Sequence, residues 1–178
     1  MNDKKRLATI WLDGCSGCHM SFLDIDERLL TLAENADLVF SPLVDQKEFP
    51  QDVDITLVEG ALSTEEDLEK IRTIRERTKI LVAFGDCAVT ANIPSMRNPF
   101  GAAAMLKTVY LEKESLNSQV PTQVVPKLLE NAIPLHQAVD VDIFIPGCPP
   151  SAETIFFAIT ELVEGRTPDL SQLTRFGA

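Results

Sequence analysis

Five short apolar runs limit what this chain can fold into: LATIWL (Leu7 to Leu12), ADLVF (Ala36 to Phe40), DITLVE (Asp54 to Glu59), KILVAF (Lys79 to Phe84) and VDIFI (Val141 to Ile145). Each is rich in β-branched residues and nearly continuous in apolar character, as strands buried on both faces of a parallel sheet are. Helical patterns lie between them. Met20 to Ala33 puts Phe22, Ile25, Leu29, Leu32 and Ala33 on one stripe. Thr64-Glu-Glu-Asp67 has the spacing of a helix start, and Leu68, Ile71 and Ile74 continue at helical intervals. Ser151 can cap a last helix that runs through Ile155, Ile159 and Leu162 to Gly165. Strands alternating with helices predict the α/β class. The expected architecture is a doubly wound parallel five-stranded sheet of order 2-1-3-4-5, with helices on both faces, in a single domain over residues 1–178. The stretch from Ala91 to Val139 carries Pro94, Pro99, Pro121, Pro126 and Pro134 and reads as an excursion from that sheet. Helical pieces are expected in it near Gly101 to Leu111 and Pro126 to Asn131.

On this layout the four cysteines fall at one place. Cys15 and Cys18 follow the first strand, Cys87 follows the fourth and Cys148 the fifth. Ligands of an open parallel sheet sit outside the carboxyl ends of its strands, near the point where strand order reverses. Four thiols converging there from three loops predict a metal site. The net charge of −11 argues against nucleic acid and anionic membranes as partners. With no apolar run near the ~20 residues of a membrane span and no export signal, the expected location is cytoplasmic, without membrane insertion. In that reducing compartment cysteines serve as ligands or catalytic groups more often than as disulfides. Zinc normally takes two C-x2-C pairs, and here there is one. A redox dithiol, or haem attachment through Cys15-Ser-Gly-Cys18-His19, leaves Cys87 and Cys148 idle. The remaining candidate is an iron–sulfur cluster on Cys15, Cys18, Cys87 and Cys148, of either the [2Fe–2S] or the [4Fe–4S] type. Gly14, Gly17, Gly85 and Gly147 would let backbone approach such a centre. Helices beginning after Cys18 and after Pro150 would turn their positive ends towards it. Pro149 after Cys148 matches the Cys-Pro that closes bacterial ferredoxin motifs. His19 reads as a polar residue at a helix start and His136 as a surface or packing residue.

IWLDGCSGCHMSFLD, LVEGAL, AFGDCA and PGCPPSAE, in this order, resemble the small subunit of [NiFe] hydrogenases, and in particular that of the cytoplasmic NAD(P)-linked bidirectional enzymes. The likeness runs from Ile10 to Glu164. PGCPPSAE is similar also to the cluster-bearing subunit of respiratory complex I, but that relative has adjacent cysteines at its first site. The resemblance implies a flavodoxin-like sheet, with Cys15, Cys18, Cys87 and Cys148 holding one proximal [4Fe–4S] cluster. It implies an electron-relay subunit of a hydrogen:NAD(P)+ oxidoreductase whose NiFe centre lies in a partner large subunit. Flavin and iron–sulfur diaphorase subunits would take the electrons onward. Longer family members add a region with two further clusters. No cysteine follows Cys148 here, so one cluster is expected. Such folds also invite FMN, but the loop after the first strand is taken up by cysteines and shows no hydroxyl-rich phosphate cradle. A zinc-stabilised scaffold using the same thiols and a complex I-type cluster subunit are the alternatives.

Two further expectations concern the surroundings. Glu59 ends the third strand beside the first and is a candidate proton relay, the alternative being a carboxylate that holds the turn through backbone N–H groups. Ile93, Met96, Phe100 and Met105 in the excursion are candidates for contact with the large subunit, or else cover the domain's own core.

Overall fold

The computed structural model describes residues 4–113 and 116–174. Its strands are β1 (Lys5–Trp11), β2 (Ala36–Phe40), β3 (Val53–Glu59), β4 (Leu62–Thr64), β5 (Thr78–Phe84), β6 (Leu128–Ile133) and β7 (Ile143–Ile145). Its helices are α1 (Gly17–Leu23), α2 (Arg28–Asn35), α3 (Glu65–Arg77), α4 (Asp86–Thr90), α5 (Ala102–Lys107) and α6 (Ala152–Val163). Single turns of 3-10 helix stand at Pro94–Arg97 and Leu135–Gln137, and a π turn at Thr108–Glu112 extends α5.

The five apolar runs form one parallel sheet in the order β2-β1-β3-β5-β7, the expected topology. Alternation along each strand feeds two cores. Leu7, Ile55, Leu57, Val82, Phe84 and Ile145 point to the face covered by α1, α2 and α6, where Phe22, Ile25, Ile155 and Ile159 meet them. Ile10, Val58, Leu81 and Ala83 point to the other face, beneath Ile71 and Ile74 of α3 and Ala88 and Val89 of α4. Helices begin where the sequence caps them. Thr64 and Asp67 make a reciprocal capping box on α3, and the Ser151 hydroxyl accepts the Thr154 N–H at the start of α6. Among the described residues no helix is long and apolar enough to cross a membrane.

Two expectations are corrected. Met20 to Ala33 is two helices, not one. The chain turns at Asp26, in the left-handed region at φ 55, a conformation that aspartate tolerates better than most residues. Ile25 on that turn is still fully buried, so the core is served without a continuous helix, and Ala33 is left exposed. Pro126 to Asn131 is not helical. Residues Leu128–Ile133 form β6, antiparallel to β4, so tertiary pairing overrides the local pattern. The outer edge of β6 is closed by side chains. Asn98 donates to the Ala132 carbonyl (2.9 Å) and accepts its N–H (2.8 Å), while Arg97 donates to the carbonyls of Leu129 and Glu130 (2.8 Å each).

Candidate metal centre

The carboxyl edge of the sheet gathers the four cysteines. Cys15 lies in the loop that leaves β1, and Cys18 in the first turn of α1, which begins at Gly17, one residue before it. Cys87 lies in the first turn of α4 directly after β5, and Cys148 in the loop after β7, where its bond to Pro149 is cis. All four are free thiols; Cys15 and Cys148 are exposed, Cys87 is half-buried and Cys18 is buried. Their charges act on one another. The Cys18 thiol is pushed far above its ordinary value, first by burial, then by the Glu59 carboxylate, then by Cys87, Cys15 and Cys148. Burial also raises Cys87; the Ile93 N–H opposes it, and Cys148, Cys15 and Glu59 add to the rise. Thiols raised as Cys18 and Cys87 are need a positive centre beside them before they become thiolates.

The glycines fit a site built around sulfur. A Cβ on Gly85, at φ 85, would stand 2.2 Å from the Cys18 sulfur; one on Gly17 would stand 3.2 Å from that of Cys15. A side chain at Gly85 would therefore displace a thiol. Donor set, mutual repulsion and glycine clearance together suit an iron–sulfur centre. Among the described residues no three His, Cys, Asp or Glu side chains are drawn together as for a single metal ion.

Polar staples fix the loops to one another. The Glu59 carboxylate, buried at 3% exposure, accepts the N–H of Cys18 (3.4 Å) and of His19 (2.8 Å), and contacts Nδ1 of His19. The His19 ring is itself buried at 1% exposure, edge-on to Trp11 and Phe84, and among the described residues its Nε2 has no hydrogen-bond partner. Ser21 donates from α1 to the Pro150 carbonyl (2.6 Å), joining the Cys18 helix to the Cys148 loop. Asp86 accepts the Gly147 N–H on Oδ1 (2.7 Å) and returns its own N–H to the Gly147 carbonyl (2.9 Å), joining the Cys87 and Cys148 loops. Asp13 and Ala61 exchange both backbone hydrogen bonds (2.8 and 3.2 Å), and the Ser63 hydroxyl donates to the Asp13 carboxylate. Asn92 places its side-chain nitrogen 3.6 Å from the Cys148 sulfur.

The structure thus brings Cys15, Cys18, Cys87, Cys148 and Glu59 to one edge. His136 lies away from it, exposed and edge-on to Phe144. Asp86, Ser21 and Asn92 did not stand out in the sequence. For Asp86 a signal existed, since a carboxylate between a strand-ending glycine and a ligand cysteine has little room to face solvent.

Comparison with known proteins identifies the family. Residues 15–162 match the family described as "NADH ubiquinone oxidoreductase, 20 Kd subunit". The chain is 43% identical over 173 residues to a subunit of the F420-non-reducing hydrogenase vhu of Methanococcus voltae, covering 96% of this chain and 60% of that protein. It is 41% identical over 179 residues to the delta subunit of the NAD-reducing hydrogenase HoxS of Cupriavidus necator, covering 97% and 86%. The chain thus spans about three fifths of the first of these relatives. Among solved structures, a chain of an NAD+-reducing [NiFe]-hydrogenase in the H2-reduced state superposes with a TM-score of 0.93 at 42% identity, covering 97% of this chain and 99% of that one. A [NiFeSe]-hydrogenase of Dm. baculatum shares the fold, with a TM-score of 0.60 at 19% identity over 98% of this chain and 70% of that one. Fold, matched family and hydrogenase relatives agree: the chain belongs to the NADH ubiquinone oxidoreductase 20 kDa subunit family.

Proposed function

We propose that this chain is the electron-relay small subunit of an NAD(P)-linked [NiFe] hydrogenase, acting as one iron–sulfur domain over residues 1–178 in the cytoplasm. The observation that carries the reading is the convergence of four thiols from three loops, stapled to one another at a single sheet edge. When bound, a [4Fe–4S] cluster supplies a one-electron store between hydrogen chemistry on the large subunit and the flavin and iron–sulfur diaphorase subunits. This chain's residues do the rest. Cys15, Cys18, Cys87 and Cys148 hold the centre, Glu59 fixes the first ligand loop through two backbone N–H groups, and Asp86 fixes the other two loops to each other. Electron transfer falls steeply with distance, so the cysteine face must lie against its donor. Ile93, Met96 and Phe100 follow Cys87 in the chain and are 61, 67 and 68% exposed, which suits a partner contact and not a cover for this chain's own core. Met105 is half-buried. FMN is not part of the reading, because the loop after β1 carries Cys15 and Cys18.

Replacing Cys18 with Ser tests it. The expected result is loss or conversion of the cluster and loss of hydrogen-driven NAD(P) reduction in the assembled complex. Hydrogen–deuterium exchange, which needs no electron exit, is expected to survive if the large subunit still folds. Full NAD(P) reduction with an unchanged cluster spectrum would contradict the assignment. A complex I-type role is the second reading, favoured by the matched family description. Against it stands the separation of Cys15 from Cys18.

A further inference from the structure

We propose that Asn92 sets the reduction potential of the centre held by the four cysteines, by donating an N–H···S hydrogen bond to the Cys148 thiolate. The proposal rests on the iron–sulfur reading above. Its basis is the 3.6 Å contact between the Asn92 side-chain nitrogen and the Cys148 sulfur. Among the described residues that sulfur is the one hydrogen-bond partner the nitrogen has. A metal-bound thiolate carries no proton and can only accept, so the amide must present its NH2.

The backbone around Asn92 is built to deliver this contact. α4 ends after little more than one turn because Ala91 takes a left-handed conformation, φ 62 and ψ 0, with its N–H on the Cys87 carbonyl (3.0 Å). A residue with a side chain is held there only where its surroundings outweigh the strain. Ala91 is buried, and just after the turn the Ile93 N–H hydrogen-bonds the Cys87 thiol, which keeps this segment beside the cysteines. The segment is then clamped: Ser95 donates its N–H to the Ala91 carbonyl (3.0 Å) and its hydroxyl to the Asn92 carbonyl (2.8 Å). Asn92 is therefore a side-chain donor presented to a ligand sulfur on a held backbone.

The direction of the effect follows from charge. One-electron reduction makes an anionic thiolate centre more negative. A donor aimed at a ligand sulfur stabilises the reduced form more than the oxidised one and raises the potential. Cys148 is exposed in the isolated chain, where water competes for its sulfur. A partner lying over the face removes that competition and strengthens the contact.

The test is a redox titration of the assembled complex, followed by electron paramagnetic resonance, on wild type, Asn92→Ala and Asn92→Asp, with iron and sulfide measured on each. Asn92→Ala removes the donor; Asn92→Asp keeps the shape and replaces the donor with negative charge. Both are expected to keep wild-type iron and sulfide. In Asn92→Ala the ratio of reduced to oxidised cluster at a fixed poise should fall about tenfold, the low end for a hydrogen bond to a charged group. Asn92→Asp should shift further in the same direction. Wild-type midpoints in both variants with the cluster in place would overturn the proposal, as would an upward shift. Loss of iron from both would also overturn it, by making Asn92 a residue that only holds the loop. A wild-type complex lacking iron and sulfide on this chain would instead overturn the cluster reading itself.

Discussion

Glu59 is a buried carboxylate surrounded by donors. It takes the N–H groups of Cys18 and His19 and contacts Nδ1 of His19. That contact fixes the imidazole so that Nδ1 carries the proton towards the carboxylate, as partners of ring nitrogens generally do. In this arrangement Glu59 holds the Cys18 loop to the end of β3, since removing a buried acceptor from two N–H groups costs about 1–3 kcal/mol for each donor left unsatisfied. A proton-relay role for Glu59 is a separate proposal, and Glu59→Gln divides the two. Relay predicts slower hydrogen oxidation and slower proton reduction with the cluster spectrum intact. Holding alone predicts wild-type rates in a chain that unfolds at lower denaturant, because glutamine keeps one acceptor oxygen and not two. Steady-state rates in both directions, measured beside a urea titration, decide it.

At the scale of the elements, Asp54 sews three strands together at the amino edge. Its carboxylate accepts the Arg6 N–H, extending the β1–β3 ladder by one bond (2.8 Å), and pairs with Lys79 on β5 (2.8 Å). Burial would raise its proton affinity, but the hydrogen bonds from Lys79 and Arg6 outweigh burial and hold the carboxyl below the usual aspartate range. A group with a depressed folded value stabilises the fold above its unfolded value, about 3.9, and loses that contribution as pH falls through the folded value. Asp54→Asn should therefore cost about 1 kcal/mol at neutral pH, discounted for the exposed Lys79, and the difference from wild type should close as the pH falls below the usual aspartate range. Urea unfolding at several pH values reads this directly; a cost that persists at low pH would contradict it. The strands themselves were legible because residues such as Ile55, Leu57 and Val58 are buried on both faces, which leaves a continuous apolar run in the sequence. The break at Asp26 was not legible, because Ile25 fills the same core from a turn as it would from a helix. Nor was β6, whose partner β4 lies more than 60 residues earlier and gives no local sign. The cysteines declared themselves by falling just after strand-like runs; in the fold Cys15 and Cys148 stand in loops and Cys18 and Cys87 in the first turns of α1 and α4. Their staples did not, since Asp86 and Ser21 act on backbone groups of Gly147 and Pro150 that only the folded chain brings near.

For the whole molecule, the exposed apolar residues Ile93, Met96 and Phe100 follow Cys87 in the chain and are the candidate contact for a partner. Residues as exposed as Phe100 contribute little to the chain's own stability, so a charge there should leave the fold intact and act on assembly. Phe100→Glu is expected to weaken binding to the hydrogenase large subunit about tenfold or more, read as loss of co-purification or by titration of one subunit with the other. Undiminished assembly would show that the large subunit lies elsewhere. The account depends most on what the four thiols hold. Anaerobic purification of the complex, followed by iron, acid-labile sulfide and zinc analysis resolved to this chain, tests that most directly. The prediction is about four irons and about four sulfides bound through Cys15, Cys18, Cys87 and Cys148, without stoichiometric zinc. Zinc without sulfide would contradict it and leave a scaffold in place of a relay.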